Sequence, residues 1–166
     1  MRTPVQILAL ALLVALASGG SDSIRAAPGA VPRFALWRSA ELRQRDERLS
    51  AKVGPDHSAR ETLEDFKTHR FRMLYRDADG FPEQHDRIVD VVVVQSGEGT
   101  LLLGGKMIGT RAGGGEGEYV GTGIEGGERH PIGAGDVIHI PPKVPHSFLV
   151  PKGGHITYIL VKFPGE

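Results

Sequence analysis

Apolar and polar positions change rhythm twice along the chain. Residues 5–17 (VQILALALLVALA) are an apolar run interrupted only by Gln6, shorter than the roughly 20 residues a spanning helix needs. Between 34 and 53, Leu36, Ala40, Leu42 and Leu49 form an incomplete apolar stripe set among Arg, Glu, Asp and Gln. That incomplete stripe at helical spacing, with Ser39 placed as an N-cap, predicts a helix to about Val53. A second short helical stretch is read over 59–66. From His69 the apolar runs become short, β-branched and punctuated by glycine and proline, which is strand grammar. Strands are predicted over 70–76 (RFRMLYR), 88–95 (IVDVVVVQ), 100–103, 106–110, 137–140, 147–150 and 156–163 (ITYILVKF). Gly97-Glu98-Gly99 predicts a turn, and Gly104-Gly105 a two-residue hairpin connection. About seven short strands with turns between them predict an all-β sandwich or closed antiparallel barrel.

Composition narrows this picture. The 23 glycines and 11 prolines fall between the apolar runs, so they read as turns and not as low complexity. Twenty basic residues balance 20 acidic ones, leaving no global field to attract nucleic acid or a membrane surface. Basic residues are also dispersed without an aromatic-interleaved patch, so a nucleic-acid partner is not expected. The absence of cysteine removes disulfides, thiolate nucleophiles and cysteine-bound zinc together. Arg2, the apolar run and the small residues 18–21 have the layout of a secretory signal, with Ala15-Leu16-Ala17 as the cleavage site. The expected organisation is a signal peptide over 1–20, a linker and helical extension over 21–66, and the β-barrel over 67–166. An exported protein, periplasmic or secreted, with no membrane span after signal removal, is the corresponding expectation.

Two segments carry candidate chemistry. In F-P-E-Q-H-D-R-I-V-D, Glu83 and His85 are two apart and face one side of an extended chain. Asp86-Arg87 can turn the chain, and Asp90 then shares a face with Val92 and Val94. In G-A-G-D-V-I-H-I-P-P-K-V-P-H-S-F, Gly135-Asp136 turns into a strand, Pro141-Pro142 ends it, and Pro145 stiffens the approach to His146. The glycine-rich stretch 112–127 lacks the following helix and lysine of a phosphate-cradling loop and reads as a mobile hairpin or lid. His139 and His130 are read as outward-facing. His57, His69 and His155 have no partners in sequence. Tyr75, Tyr119 and Tyr158 are read as packing residues. The interleaved charges of 38–48 are read as a solvated helix face. No nucleophile elbow, zinc-protease motif or dinucleotide fingerprint is present.

The two segments, in this order, resemble the paired motifs of the cupin superfamily. The first reads Glu83-x-His85-x4-Asp90-x6-Gly97, keeping the spacing with two ligand types changed. The second keeps Gly135-Asp136, the I-P-P-x-x-P-H run and His146 but lacks the final Asn. The resemblance covers about 70–163 and is closest to small single-domain exported bacterial cupins. It implies a jelly-roll barrel with a divalent metal inside, the candidate ligands being His85, His146, Asp90 and Glu83. Two imidazoles with two carboxylates favour Mn or Fe over Zn or Ni. The implied function is binding of the metal and a small molecule inside the barrel. Enzymatic alternatives are oxygen insertion at non-haem Fe(II), or isomerase or lyase chemistry with Glu83 moving a proton. A cupin that binds its ligand without metal, and a barrel serving only as a dimerisation scaffold, are the other readings. A homodimer is the commonest symmetric assembly.

Overall fold

The computed structural model describes residues 33–165; the apolar run over 5–17 and its cleavage site lie outside them. One helix comes first, α1 (Ser39–Ser50), then β1 (Ser58–Asp65), β2 (Arg70–Arg76), β3 (Glu83–His85) and the long β4 (Ile88–Leu103). Four short strands follow: β5 (Lys106–Ile108), β6 (Arg111–Ala112), β7 (Glu118–Val120) and β8 (Gly123–Glu125). β9 (Glu128–Gly133), β10 (Val137–Ile140), β11 (His146–Leu149) and β12 (Ile156–Pro164) complete the described chain. Every pairing is antiparallel. One sheet runs β1-β2-β12-β4-β10 and the other β9-β4-β11-β3-β7-β6, while β5 and β8 form a separate ribbon. β4 belongs to both sheets, which makes the architecture an antiparallel barrel of jelly-roll type.

A single extra residue lets β4 serve both sheets. Thr157 pairs with Ser96 and Tyr158 with Val94, so Gln95 has no partner on β12. Before this bulge Asp90, Val92 and Val94 are buried at alternate positions on the core side, and after it Gly99 and Leu101 are. Inserting one residue into a period of two exchanges the inward and outward faces. Both halves therefore point apolar residues at one core, built from Val92, Val94, Leu101, Ile140, Ile156 and Tyr158, among others. Gly97 sits just beyond the bulge at φ 72°, and a Cβ there would lie 2.0 Å from the His155 carbonyl oxygen. Glycine is needed at Gly97 because the backbone at His155, entering β12, passes through that space.

Three sequence expectations change. Gly97-Glu98-Gly99 is not a turn, since β4 continues through it. Gly104 and Gly105 do turn the chain, with φ 77° and 75°, but β5 pairs with β8 and does not fold back on β4. Both edges of that half of β4 are already taken, by β9 and by β11. The stretch read as helical over 59–66 is instead strand β1, so the barrel begins at Ser58 and not at 67. Its residues alternate faces against β2, with Ala59 buried and Arg60 exposed. A strand partner supplies hydrogen bonds that a short, poorly amphipathic helix could not offset. The glycine-rich stretch carries β6 to β8, and β7 is hydrogen-bonded to β3, beside Glu83 and His85.

The helical extension covers the outer face of β1 and β2. Ser39 is the first helical residue; Arg38 stands at the cap and makes no side-chain capping bond. Leu49 packs with Ala59 and Met73, joined by Leu42, Val53, Leu63 and Tyr75. Asp46 ties the helix to the barrel at the β4 bulge: it accepts from Ser96 Oγ at 2.5 Å and from the fully buried Thr157 Oγ1 at 2.6 Å. The charged face read as merely solvated thus contains a docking residue. Asp46→Ala is expected to lower stability by about 2 kcal/mol, the scale of hydrogen bonds to a charged group. Urea unfolding measures this, with Asp46→Asn retaining part of the loss; an unchanged midpoint would remove the tether from the account.

Candidate metal centre

Strand alternation delivers four predicted residues to one point inside the barrel. His146 opens β11, where it pairs with Leu103 on one side and with Glu83 on the other. Glu83 and His85 occupy the two ends of β3, and Asp90 lies near the start of β4 on the face of Val92 and Val94. His85, Asp90 and His146 are 4 %, 2 % and 3 % exposed, which for three ionisable groups demands mutual compensation. The two imidazole centroids are 5.4 Å apart. Glu83, His85 and His146 each present a ligand atom within 4.8 Å of the others.

Asp90 sits between the histidines, with Oδ2 3.4 Å from His85 Nε2 and 3.6 Å from His146 Nε2. It is also bound by a residue the sequence reading passed over. Lys162, on β12, donates from Nζ to Asp90 Oδ2 at 2.9 Å and to His85 Nε2 at 2.6 Å. Register explains its arrival: Lys162 pairs with Asp90 across β12 and β4, and directly opposed residues share a face. The signal was present in ITYILVKF, where Tyr158, Leu160 and Lys162 alternate in step, but only the pairing register shows that this face is the inner one. Glu83 and Asp90 bring two carboxylates to the two imidazoles. The ammonium of Lys162 offsets one of those charges.

The polar atoms have a clear division of labour. His146 Nδ1 lies 3.0 Å from the Val144 carbonyl oxygen, an acceptor, so this nitrogen carries the proton. Nε2 faces the cluster, where it donates toward Asp90 when protonated and offers its lone pair to a cation when not. His85 accepts at Nε2 from Lys162, which places its proton on Nδ1; that nitrogen is buried without a hydrogen-bond partner, as is Asp90 Oδ1. Burial by itself would push the Asp90 carboxyl up. His146 and the Lys162 ammonium outweigh that and hold it well below the usual carboxylate range.

These residues fit a divalent cation on the chemistry of their donors. They include a tautomer-fixed imidazole, a second imidazole with Nε2 turned inward, a carboxylate within reach, and the buried Asp90 Oδ1 lacking a donor. Lys162 is the feature that competes, because its ammonium already satisfies His85 Nε2.

A cavity of about 600 Å³ adjoins the cluster and is bordered by Glu83, His85 and Lys162, with Tyr119 and Gly113–Gly115 on one side. Its size suits a small organic molecule. Tyr119 offers its ring, while its hydroxyl donates to Asp86 at 3.1 Å. The remaining residues singled out in the sequence lie elsewhere or play other parts. His139 is exposed on β10. His130 is exposed beside Glu128, and His57 pairs with Asp77 at the surface. His155 stacks on Tyr75. His69 stacks on Phe66 and reaches the cavity rim. Tyr158 is buried in the core, stacked on Phe148 and accepting from Arg76 Nε at 3.0 Å. No described helix is long and apolar enough to cross a membrane.

Residues 124–166 match the family model of the AraC-like ligand binding domain. No curated protein matches the chain in sequence. Among solved structures it is similar to the polyketide cyclase RemF from Streptomyces resistomycificus, with 18 % identity over 66 % of each chain and a TM-score of 0.46. A cupin-2 domain protein from Rhodospirillum rubrum aligns with 16 % identity over 64 % of this chain and 60 % of its own, TM-score 0.47. KdgF from a Halomonas species aligns with 18 % identity over 69 % of this chain and 84 % of its own, TM-score 0.48. The chain thus spans less than two thirds of the length of the first two.

Proposed function

We propose that this chain is a cupin-type protein that binds one divalent metal ion through Glu83, His85 and His146 and a small molecule in the adjoining cavity. The observation that carries the reading is the convergence of three ligand atoms from β3 and β11 within 4.8 Å, one of them an imidazole whose tautomer is set by the Val144 carbonyl. Asp90 serves beside them as a buried carboxylate within reach of both imidazoles. A bound divalent ion supplies a Lewis acid at the cavity floor. The donors, imidazole nitrogen with carboxylate oxygen, favour Mn or Fe. Glu83 borders the cavity with 37 % of its side chain open, so it is the residue able to accept or return a proton at a bound molecule. The signal-like N-terminus motivates placing the protein outside the cytoplasm.

One experiment addresses metal and location together. The full chain, expressed in a bacterial host without chelator, is expected in the extracytoplasmic fraction with about one Mn or Fe per chain by elemental analysis. Recovery only from the cytoplasm would remove the export proposal. Protein that arrives metal-free and cannot be loaded would remove the metal. A specific observation favours a second reading: Lys162 already places a cation against His85 and Asp90. On that reading the barrel binds its ligand without metal, and elemental analysis separates the two.

A further inference from the structure

We infer that the small molecule is a hydroxylated organic oxyanion, held at one end by Arg72. This rests on the small-molecule part of the reading above and is independent of the metal.

The cavity has two unlike walls. One is the inner face of β1 and β2. Arg72 projects there because β2 alternates, sending Met73 to the helix-covered side and Leu74 to the core. Arg72 pairs with Leu160 across the sheet, is half-buried and borders the cavity. Nearby cations are already engaged: Arg60 with Asp56 at 2.7 Å, Arg70 with Asp65 at 2.6 Å, and Lys162 with Asp90. The Arg72 guanidinium has no hydrogen-bond or ion-pair partner among the described residues, and Lys67 at the rim has no ion pair. A guanidinium on the inner face of a barrel strand, level with Leu160, gives up hydration without recovering it from the protein. Its planar fork is matched by a carboxylate or phosphate group.

The facing wall is acidic. Glu83 on β3 and Glu118 on β7 both border the cavity, and Glu118 is directly opposite His85. Ionised carboxylates only accept hydrogen bonds. They repel an anion but suit hydroxyl groups. A molecule bridging the walls therefore presents an oxyanion toward Arg72 and hydroxyls toward Glu83 and Glu118.

Three probes of one carbon skeleton test this: gluconate, sorbitol 6-phosphate and the neutral sorbitol. Calorimetric titration of the full chain is expected to show binding of gluconate or of the phosphate ester, and none of sorbitol; which anion binds identifies the oxyanion. Arg72→Gln is expected to weaken that binding at least tenfold while leaving metal content unchanged. If this variant does not fold, Arg72→Lys, which keeps the charge and loses the fork, is expected to weaken it about tenfold. Sorbitol binding as well as the anions, neither anion binding, or undiminished binding by a folded Arg72 variant would each overturn the inference. Metal-loaded protein that binds no anion defeats this inference alone. Metal-free protein that binds gluconate defeats only the metal.

Discussion

His146→Ala is expected to lower metal affinity by at least about 100-fold, since perturbing a partner that merely orients a metal-binding histidine already costs roughly 10–100-fold. His146 is the best-prepared donor in the cluster. Pro145 precedes it, β11 holds it between Leu103 and Glu83, and the Val144 carbonyl fixes its proton on Nδ1. Alanine removes the lone pair and leaves Glu83 and His85 as the only two members of the group. His85→Ala should act in the same direction but less strongly, because it also removes the acceptor that now engages Lys162. The measurement is metal retained after dialysis against a graded chelator. If both variants stay fully loaded, the metal lies elsewhere.

Lys162→Met is expected to destabilise the metal-free protein by about 3 kcal/mol, the lower end of what breaking a buried ion pair costs. The lower end applies because the lysine side chain is 19 % exposed whereas Asp90 is 3 % exposed. The substitution leaves the Asp90 carboxylate buried beside the two imidazoles without the lysine's charge. Metal should then restore most of the loss and bind about tenfold more tightly or better, because it supplies the missing positive charge and no longer competes with an ammonium. The pH dependence follows from Asp90. Its folded pKa lies below its unfolded value, held there against burial by His146 and Lys162. Its stabilisation is therefore complete above about pH 4 and lost as the pH falls below that. Without Lys162 the depression shrinks, and the acid-side loss of metal-free stability should shrink with it. Urea unfolding between pH 7 and pH 3 measures both effects. A variant as stable as the parent, with the same acid slope, would show that the Lys162–Asp90 contact carries no weight.

Most of the candidate site was legible because its residues come from two compact segments whose local geometry suffices. Glu83 and His85 share a face by alternation alone, and Pro145 marks His146 as fixed. Lys162 was not legible. It reaches the cluster from 72 positions beyond Asp90, and nothing local distinguishes it from a solvent-facing lysine near the end of a strand. Arg72 was hidden in the same way: RFRMLYR shows alternation but not which set of side chains meets helix α1. The mistaken helix over 59–66 has a related cause, since β1 exists only because β2 offers it a partner.

The amino-acid order by itself determined the strand periodicity after residue 69, the turn at Gly104-Gly105 and the shared face of Glu83 and His85. These depend on interactions a few residues long. Tertiary structure alone decided that Gln95 is an extra residue exchanging the faces of β4, that Asp46 ties α1 to the barrel, and that Lys162 enters the cluster. Each of these depends on register between distant strands, and a slip of one residue would turn the same side chain to the other side of the sheet.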